Sequence, residues 1–287
     1  MKQPLFFYKF VSFDRKDILE NGMIRFAPIG SFNDPFELEP SITPYSTKFL
    51  NFIREMPEAE IDKITMTESD YAYSADRADK IDHYRKMYRE KIGQYGVLSL
   101  SSNDSINQML TVSMPDRKDP RTNILMWSHY ADSHKGFVIE FEPNFIEGIK
   151  LEKVEYSESR DFLTFEDVEE KNFDRVFYKK SPEWRYEQEY RAVSLLSEAS
   201  RIDDGVFHLF KIDKTKINSI TFGCAMSEIN KKTIMDFVKS DPELKGVKFE
   251  HAKLAEEGFY LSFYYDDGGL TNNSEFGPRM IPGQLKL

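Results

Sequence analysis

The sequence predicts an α+β fold with mixed, mainly antiparallel sheets, and three observations carry that expectation. Short apolar or alternating segments bounded by Gly, Pro, Asn and Asp outnumber the helical segments that connect them. The G-x-G-x-x-G turn that opens a doubly wound parallel sheet occurs nowhere. Of 287 residues, 40% are hydrophobic, and 24 Phe, 15 Tyr and 2 Trp stand against only 14 Gly and 13 Pro, a composition able to bury a sizeable core.

Taken in order, Leu5 to Phe10 is a short aromatic run that reads as a buried strand. Asp14 then offers an N-cap for a helix through Glu20, which Asn21-Gly22 would end. Met23 to Ala27 is a second strand, leading into a loop dense in turn formers: Pro28, Gly30, Asn33, Asp34 and Pro35. From Tyr45 to about Lys91 charges crowd together, Gly is absent, and Ile61, Ile64, Tyr71, Ile81, Tyr84, Met87 and Tyr88 recur at helical intervals, which predicts a helical insertion.

Gly96 to Ser102 resumes the strand pattern, Ile124 to Ala131 predicts an aromatic helix, and Phe137 to Phe141 the next strand. Leu151 to Tyr156 reads as a strand, and 165–178 as a charged helix whose apolar face is Phe165, Val168, Phe173, Val176 and Phe177. Tyr190 to Leu196, Val206 to Ile212 and Ile217 to Phe222 follow in quick succession, which predicts antiparallel neighbours, with Asp203-Asp204-Gly205 as the turn between the first two. Ser227 to Lys239 has helical spacing, and strands near Val247 to His251 and Tyr260 to Tyr264 close the pattern. The expectation is one domain over 1–265 with the insertion at about 45–91, and a flexible tail over 266–287.

Charge and motifs narrow the function classes. With 39 basic and 49 acidic side chains the net charge is −10, so no global positive field attracts nucleic acid or an anionic membrane. Arg117, Lys118 and Arg121 are either a local basic patch or a solvated loop. The single cysteine, Cys224, is too few for a Cys-rich zinc site and fits a reducing compartment; the interrupted apolar start and the lack of an 18-residue apolar run complete the expectation of a cytoplasmic protein with no membrane contact. No P-loop, H-E-x-x-H or G-x-S-x-G motif is present, and no metal is expected.

Four places combine residue types suited to chemistry. In Ser31 to Glu37, Asn33 and Asp34 can close the backbone by side-chain hydrogen bonds while Phe32 and Phe36 anchor the loop. In Met126 to Gly136, Trp127, His129 and Tyr130 either wall a pocket that stacks on a planar ligand or form a core helix with a hydrogen-bonded histidine. In Trp184 to Arg191, alternation puts Glu187, Glu189 and Arg191 on one side of an extended chain, flanked by aromatic rings. Ser101 and Ser102 end a strand, as caps or as ligand contacts.

These places also carry a family resemblance. Phe7-Tyr8-Lys9-Phe10, Phe32 to Phe36, Leu98 to Ser102, Met126 to Gly136 and Trp184 to Arg191 resemble, in order, the motifs of a large bacterial domain-of-unknown-function family, number 2971. A more distant likeness is to ADP-ribosyltransferases, which present an Arg or His on an early strand, a Ser or Tyr on a second strand or the following helix, and a Glu, often in E-x-E, before a later strand. Lys9 or Tyr8, Ser101-Ser102 with Tyr130, and Glu187-Gln188-Glu189 stand at those ordinal positions, although Lys9 replaces the Arg or His and no complete S-T-S triplet is present.

That resemblance implies an ADP-ribosyltransferase-like core, NAD or another nucleotide as ligand, a protein or nucleic-acid acceptor, and a place in a bacterial toxin or phage-defence system. Cleaving the nicotinamide–ribose bond passes through an oxocarbenium-like state that a carboxylate stabilises. Glu189 would supply it and Glu187 would orient or deprotonate the acceptor. Tyr130 would stack the nicotinamide, Lys9 meet the pyrophosphate and Ser101 or Ser102 the ribose, with Tyr8, Trp127, His129 and Arg191 completing the site. Two other functions fit the same residues: a sensor or partner-binding module in a stress or defence system, where the charges form a structural network, and a hydrolase or nuclease pairing His129 or His134 with a carboxylate in an open cleft.

Overall fold

The computed structural model describes residues 6–45, 55–57, 74–103, 119–256 and 258–266. The chain opens with β1 (Phe7–Val11), a 3-10 turn (Phe13–Lys16), α1 (Asp17–Asn21) and β2 (Met23–Pro28). The helix start differs from the sequence expectation. Ser12 precedes the turn and Asp14 lies inside it, so two short helical pieces replace one capped helix. Gly22 does end α1, at φ 62°, a left-handed conformation that costs glycine nothing.

After β3 (Ser41–Thr43) comes α2 (Ser74–Ile92), the described part of the expected insertion; its residues 46–54 and 58–73, with Ile61, Ile64 and Tyr71, lie outside the described residues, as do Arg117, Lys118 and 267–287. Next come β4 (Tyr95–Ser102), α3 (Ile124–Tyr130), β5 (Phe137–Phe141), β6 (Leu151–Lys153), β7 (Glu155–Tyr156), β8 (Phe162–Thr164) and α4 (Phe165–Glu169). The chain continues through β9 (Lys179–Lys180), β10 (Glu189–Leu195), β11 (Arg201–Asp203), β12 (Phe207–Lys211) and β13 (Ile217–Phe222) to α5 (Glu228–Ser240), β14 (Lys248–Leu254) and β15 (Leu261–Tyr265).

Eleven strands form one mixed, mostly antiparallel sheet in the order β11-β12-β2-β4-β1-β5-β13-β14-β15, with β10 and then β6 added along β4. Only β13 and β14 run parallel within it. This is the expected α+β architecture, with three corrections. The strands at 190, 206 and 217 are not neighbours: β10 pairs with β4 and β6, β12 with β11 and β2, and β13 with β5 and β14. The Asp203-Asp204-Gly205 turn joins β12 to the short β11 instead. The expected helix over 165–178 stops at Glu169, because Lys171 takes φ 60° and the chain resumes as a 3-10 segment, Asp174–Tyr178. Leu151 to Tyr156 splits at Val154 between two sheets.

Alternation along the strands builds a core on each face. Phe7 and Val11 of β1, Leu98 and Leu100 of β4, and Ile139 of β5 join Ile18 and Leu19 of α1 and Ile234 and Val238 of α5. On the other face, Tyr8, Phe10 and Val138 pack with Met126 and Trp127 of α3. A third cluster under α2 gathers Val97, Tyr88, Leu163, Val168, Phe173 and Phe177. On the α3 side of β4 the residues pass from Val97 to Ser99 and Ser101, so the strand surface turns polar where these last two clusters part.

Candidate functional site

One edge of β4 carries two partners that diverge. β2 pairs with it only at Gly96 and Val97, and β1 only at Ser101 and Ser102, leaving Leu98 to Leu100 without a ladder partner on that side. Unpaired backbone groups inside a sheet demand other partners. Lys9 supplies one, its Nζ donating 2.8 Å to the Ser99 carbonyl. At this parting a cleft of about 280 Å³ opens, lined by Tyr8, Lys9, Arg15, Arg25, Phe32, Asn33, Asp34, Glu37, Ser99, Ser101, Tyr130, Lys180, Trp184, Glu187 and Glu189.

The loop from Ser31 to Glu37 forms one wall. Asp34 Oδ1 accepts the Phe36 amide at 2.8 Å, the self-closing turn that an Asp before Pro favours. Across the cleft, α3 is capped by Asn123, whose side chain accepts the Leu125 amide at 2.9 Å, and its last residue projects Tyr130. The Tyr130 hydroxyl donates to Glu187. Burial raises Tyr130, and Glu187 beside it raises it further, so this phenol stays protonated.

Glu187 ends the 3-10 segment Pro182–Glu187 and Glu189 begins β10; between them Gln188 takes φ 48° and ψ 48°. The two carboxylates converge on Lys180, whose Nζ lies 2.6 Å from Glu187 Oε2 and 3.2 Å from Glu189 Oε2. Burial opposes charge on Lys180, but Glu189 and Glu187 offset it and raise the ammonium above its usual value. Arg191 donates to Glu189 at 2.8 and 3.0 Å, to the Phe177 carbonyl at 2.7 Å and to Glu37. Burial raises Glu189 above the usual carboxylate range, while Lys180 pulls it back. Two buried cations and three buried carboxylates thus make one network, with Glu187 and Glu189 facing the cleft.

Of the sequence-predicted site residues, the cleft brings together Tyr8, Lys9, Ser101, Tyr130, Glu187, Glu189, Asn33 and Asp34. It leaves four outside its lining. Trp127 is fully buried, its indole N–H donating 2.8 Å to the Arg121 carbonyl, so it is a core residue and has no face for a ligand. His129 stands exposed on α3. The Ser102 hydroxyl is turned to the Phe6 carbonyl at 2.7 Å. Arg191 is 0% exposed and acts through Glu189. The sequence reading assigned no role to Glu37, Lys180, Trp184, Arg15 or Arg25, which also line the cleft. Trp184 and Glu37 lay within the motifs already singled out, while Lys180, 4.9 Å from the Trp184 ring centroid, carried no signal beyond its place before Ser181-Pro182.

The basic patch dissolves in part. Arg121 is 2% exposed, bound to Asp119 at 2.7 Å, Glu250 at 2.6 Å and Thr221 at 2.9 Å, with Tyr8 and Phe263 on its faces. Among the described residues, no histidine lines the cleft; His134 meets Ser128 at 3.3 Å and Cys224 at 3.7 Å, and His251 meets Asp266 at 3.3 Å. No described helix is long and apolar enough to cross a membrane.

Residues 126–192 match the family model described as "Protein of unknown function (DUF2971)". The match supports the family assignment suggested by the motifs. The matched residues run from α3 to the first half of β10, so they include Tyr130, Lys180, Glu187, Glu189 and Arg191. No curated protein and no solved structure matches the chain.

Proposed function

We propose that the cleft binds a dinucleotide of the NAD type and transfers its ADP-ribosyl group to an acceptor. The observation that carries this reading is the convergence, at the parting of β1 and β2, of a carboxylate pair on a strand start, two aromatic rings and a strand-borne lysine from three sequence-distant segments. A volume of about 280 Å³ lies just below the usual span of ligand pockets, roughly 300–1,000 Å³, and admits one end of a dinucleotide. Tyr130 and Trp184 offer faces to a planar base, and Ser101 and Glu189 offer partners to ribose hydroxyls.

In the transfer, the C–N bond to nicotinamide breaks with its electron pair leaving on the base, the acceptor nucleophile bonds the anomeric carbon, and the acceptor proton passes to Glu187. Lys180, 3.2 Å from Glu189 Oε2, opposes the rise that burial imposes on that carboxyl, and an ionised carboxylate there is what positive charge developing on the ribose requires. Binding of NAD by the purified protein, with nicotinamide release followed in parallel, tests the reading. Glu187→Gln and Glu189→Gln are each expected to cut release at least about 100-fold. A parent protein that neither binds NAD nor releases nicotinamide overturns it.

A second reading rests on the same network. Glu37, Glu187 and Glu189 are already matched by Lys180 and Arg191, as in a partner-binding module whose charges set the shape of a surface. It expects Glu189→Gln to lower stability with no catalytic rate to lose.

A further inference from the structure

The cleft carboxylates have their counterions in Lys180 and Arg191, but three other cations line the same cleft and are poorly matched. Arg25 sits on β2, where the strand has left β4, and Lys9 on β1, where that strand leaves it too. Arg15 reaches in from the 3-10 turn between them. Among the described residues only Arg15 has an ion-pair partner, Asp17 at 3.0 Å, and that pair is one-third exposed.

Arg25 is the least satisfied. Its guanidinium lies over the Phe207 ring, 4.6 Å from the centroid. Its Nε is enclosed and bonded to nothing among the described residues. Leaving an enclosed charged donor without a partner costs free energy that a ligand can recover. Lys9 spends one of its three donors on the Ser99 carbonyl and carries no ion pair within 4 Å; Glu187 and Glu189 act on it only at longer range. Arg15 and Arg25 both oppose its charge, and burial lowers it to about 8.

We propose that Arg25, with Lys9 and Arg15, forms a receptor for the phosphate or diphosphate group of a ligand lying in the parting between β1 and β2. A planar fork held on an aromatic ring meets two phosphate oxygens at once, and the two neighbouring cations match a ligand carrying two or more negative charges. The inference rests on the nucleotide reading only for what is attached to the phosphate. It assigns the dinucleotide's phosphates to β2 and the turn before α1, and so leaves the Glu187–Glu189 side to the ribose and the base.

Calorimetric titration of the full chain with inorganic pyrophosphate and with ADP-ribose, at low and at moderate salt, tests it. The parent is expected to bind both, more weakly as salt rises. Arg25→Met is expected to weaken both at least about tenfold, and Arg25→Lys to recover part of the loss. Thermal melts of each variant confirm folding. Pyrophosphate and ADP-ribose binding that is indifferent to Arg25→Met overturns the receptor even if nicotinamide release survives. Pyrophosphate binding that depends on Arg25, in a protein that releases no nicotinamide, upholds the receptor and overturns the transfer reaction.

Discussion

Replacing Arg191 by Met probes the charge network most directly. The guanidinium is fully buried and bonded to Glu189, Glu37 and the Phe177 carbonyl. Methionine fills much of its volume but returns none of those bonds. Glu37 and Glu189 would then face Lys180 alone, at 3.6 and 3.2 Å, while Lys180 is also held by Glu187. Breaking one side of a buried ion pair costs about 3–5 kcal/mol, and at roughly 2–4 °C per kcal/mol the melting midpoint should fall by on the order of 10 °C at neutral pH.

The deficit should itself depend on pH. Without the guanidinium, the native Glu189 carboxyl, already raised by burial, holds its proton to higher pH than in the unfolded chain. The folded variant therefore binds more protons than the unfolded one in that window, and its stability falls as pH rises through the raised native value. Relative to the parent, the variant should recover as pH is lowered from 7 toward 5. Adding Glu189→Gln to Arg191→Met should be less costly than the sum of the two changes. Denaturant melts at pH 5, 6, 7 and 8 measure all of this; a loss below about 1 kcal/mol, or one that does not shrink at low pH, refutes the network as described.

Lys9 gives a second pH signature: with its native value lowered by burial and by Arg15 from 10.5 to about 8, the unfolded chain holds a proton that the folded chain has released between those values. Stability should rise across that window by on the order of 3 kcal/mol before screening by cleft water, and the parent-minus-Lys9→Met difference in denaturant melts should show that slope. Gly136→Ala should cost about 3 kcal/mol or more, since a Cβ there would stand 2.0 Å from the Val11 carbonyl oxygen, and a melt within about 2 °C of the parent would contradict the packing.

The sequence made local structure legible wherever one periodicity dominated. β5, β13 and α5 fall within a residue or two of the segments read from Phe137 to Phe141, Ile217 to Phe222 and Ser227 to Lys239. Where two apolar pieces share a pattern but not a direction, the reading failed. Phe165, Val168, Phe173 and Val176 enter one cluster from both sides of the break at Lys171, so burial kept the helical spacing that the backbone abandoned. Sheet order was hidden for a different reason. Strands adjacent in sequence look paired, yet β10 pairs with β4, with Arg191 opposite Ser99 and Glu189 opposite Ser101, a long-range register that no local window contains. The candidate site shows the same division. Glu187, Glu189 and Tyr130 announced themselves by composition, whereas Lys180 and Arg25 acquire meaning only from the charges the fold brings beside them.

The residue between the two glutamates joins the local and the global accounts. Simple alternation puts Glu187 and Glu189 on one side of an extended strand, but the strand begins only at Glu189, and Gln188 turns left-handed to bring Glu187 back onto Lys180. Its amide donates to the Arg185 carbonyl at 3.2 Å and its carbonyl accepts the Ser102 amide at 3.1 Å, so the turn is tied both to the 3-10 segment and to the end of β4. A β-branched residue at φ 48° carries a strain of about 1–3 kcal/mol, and relaxing it toward extended backbone would draw Glu187 off Lys180 and Tyr130. Gln188→Gly, which tolerates that conformation, should stay within about 1 kcal/mol of the parent. Gln188→Val should lose stability and, on the transfer reading, lose nicotinamide release further than its folded fraction explains. Equal melting midpoints for the Gly and Val variants would show that the turn does not hold the carboxylate pair together, and the convergence on Lys180 would then have to be maintained by the ion pairs alone.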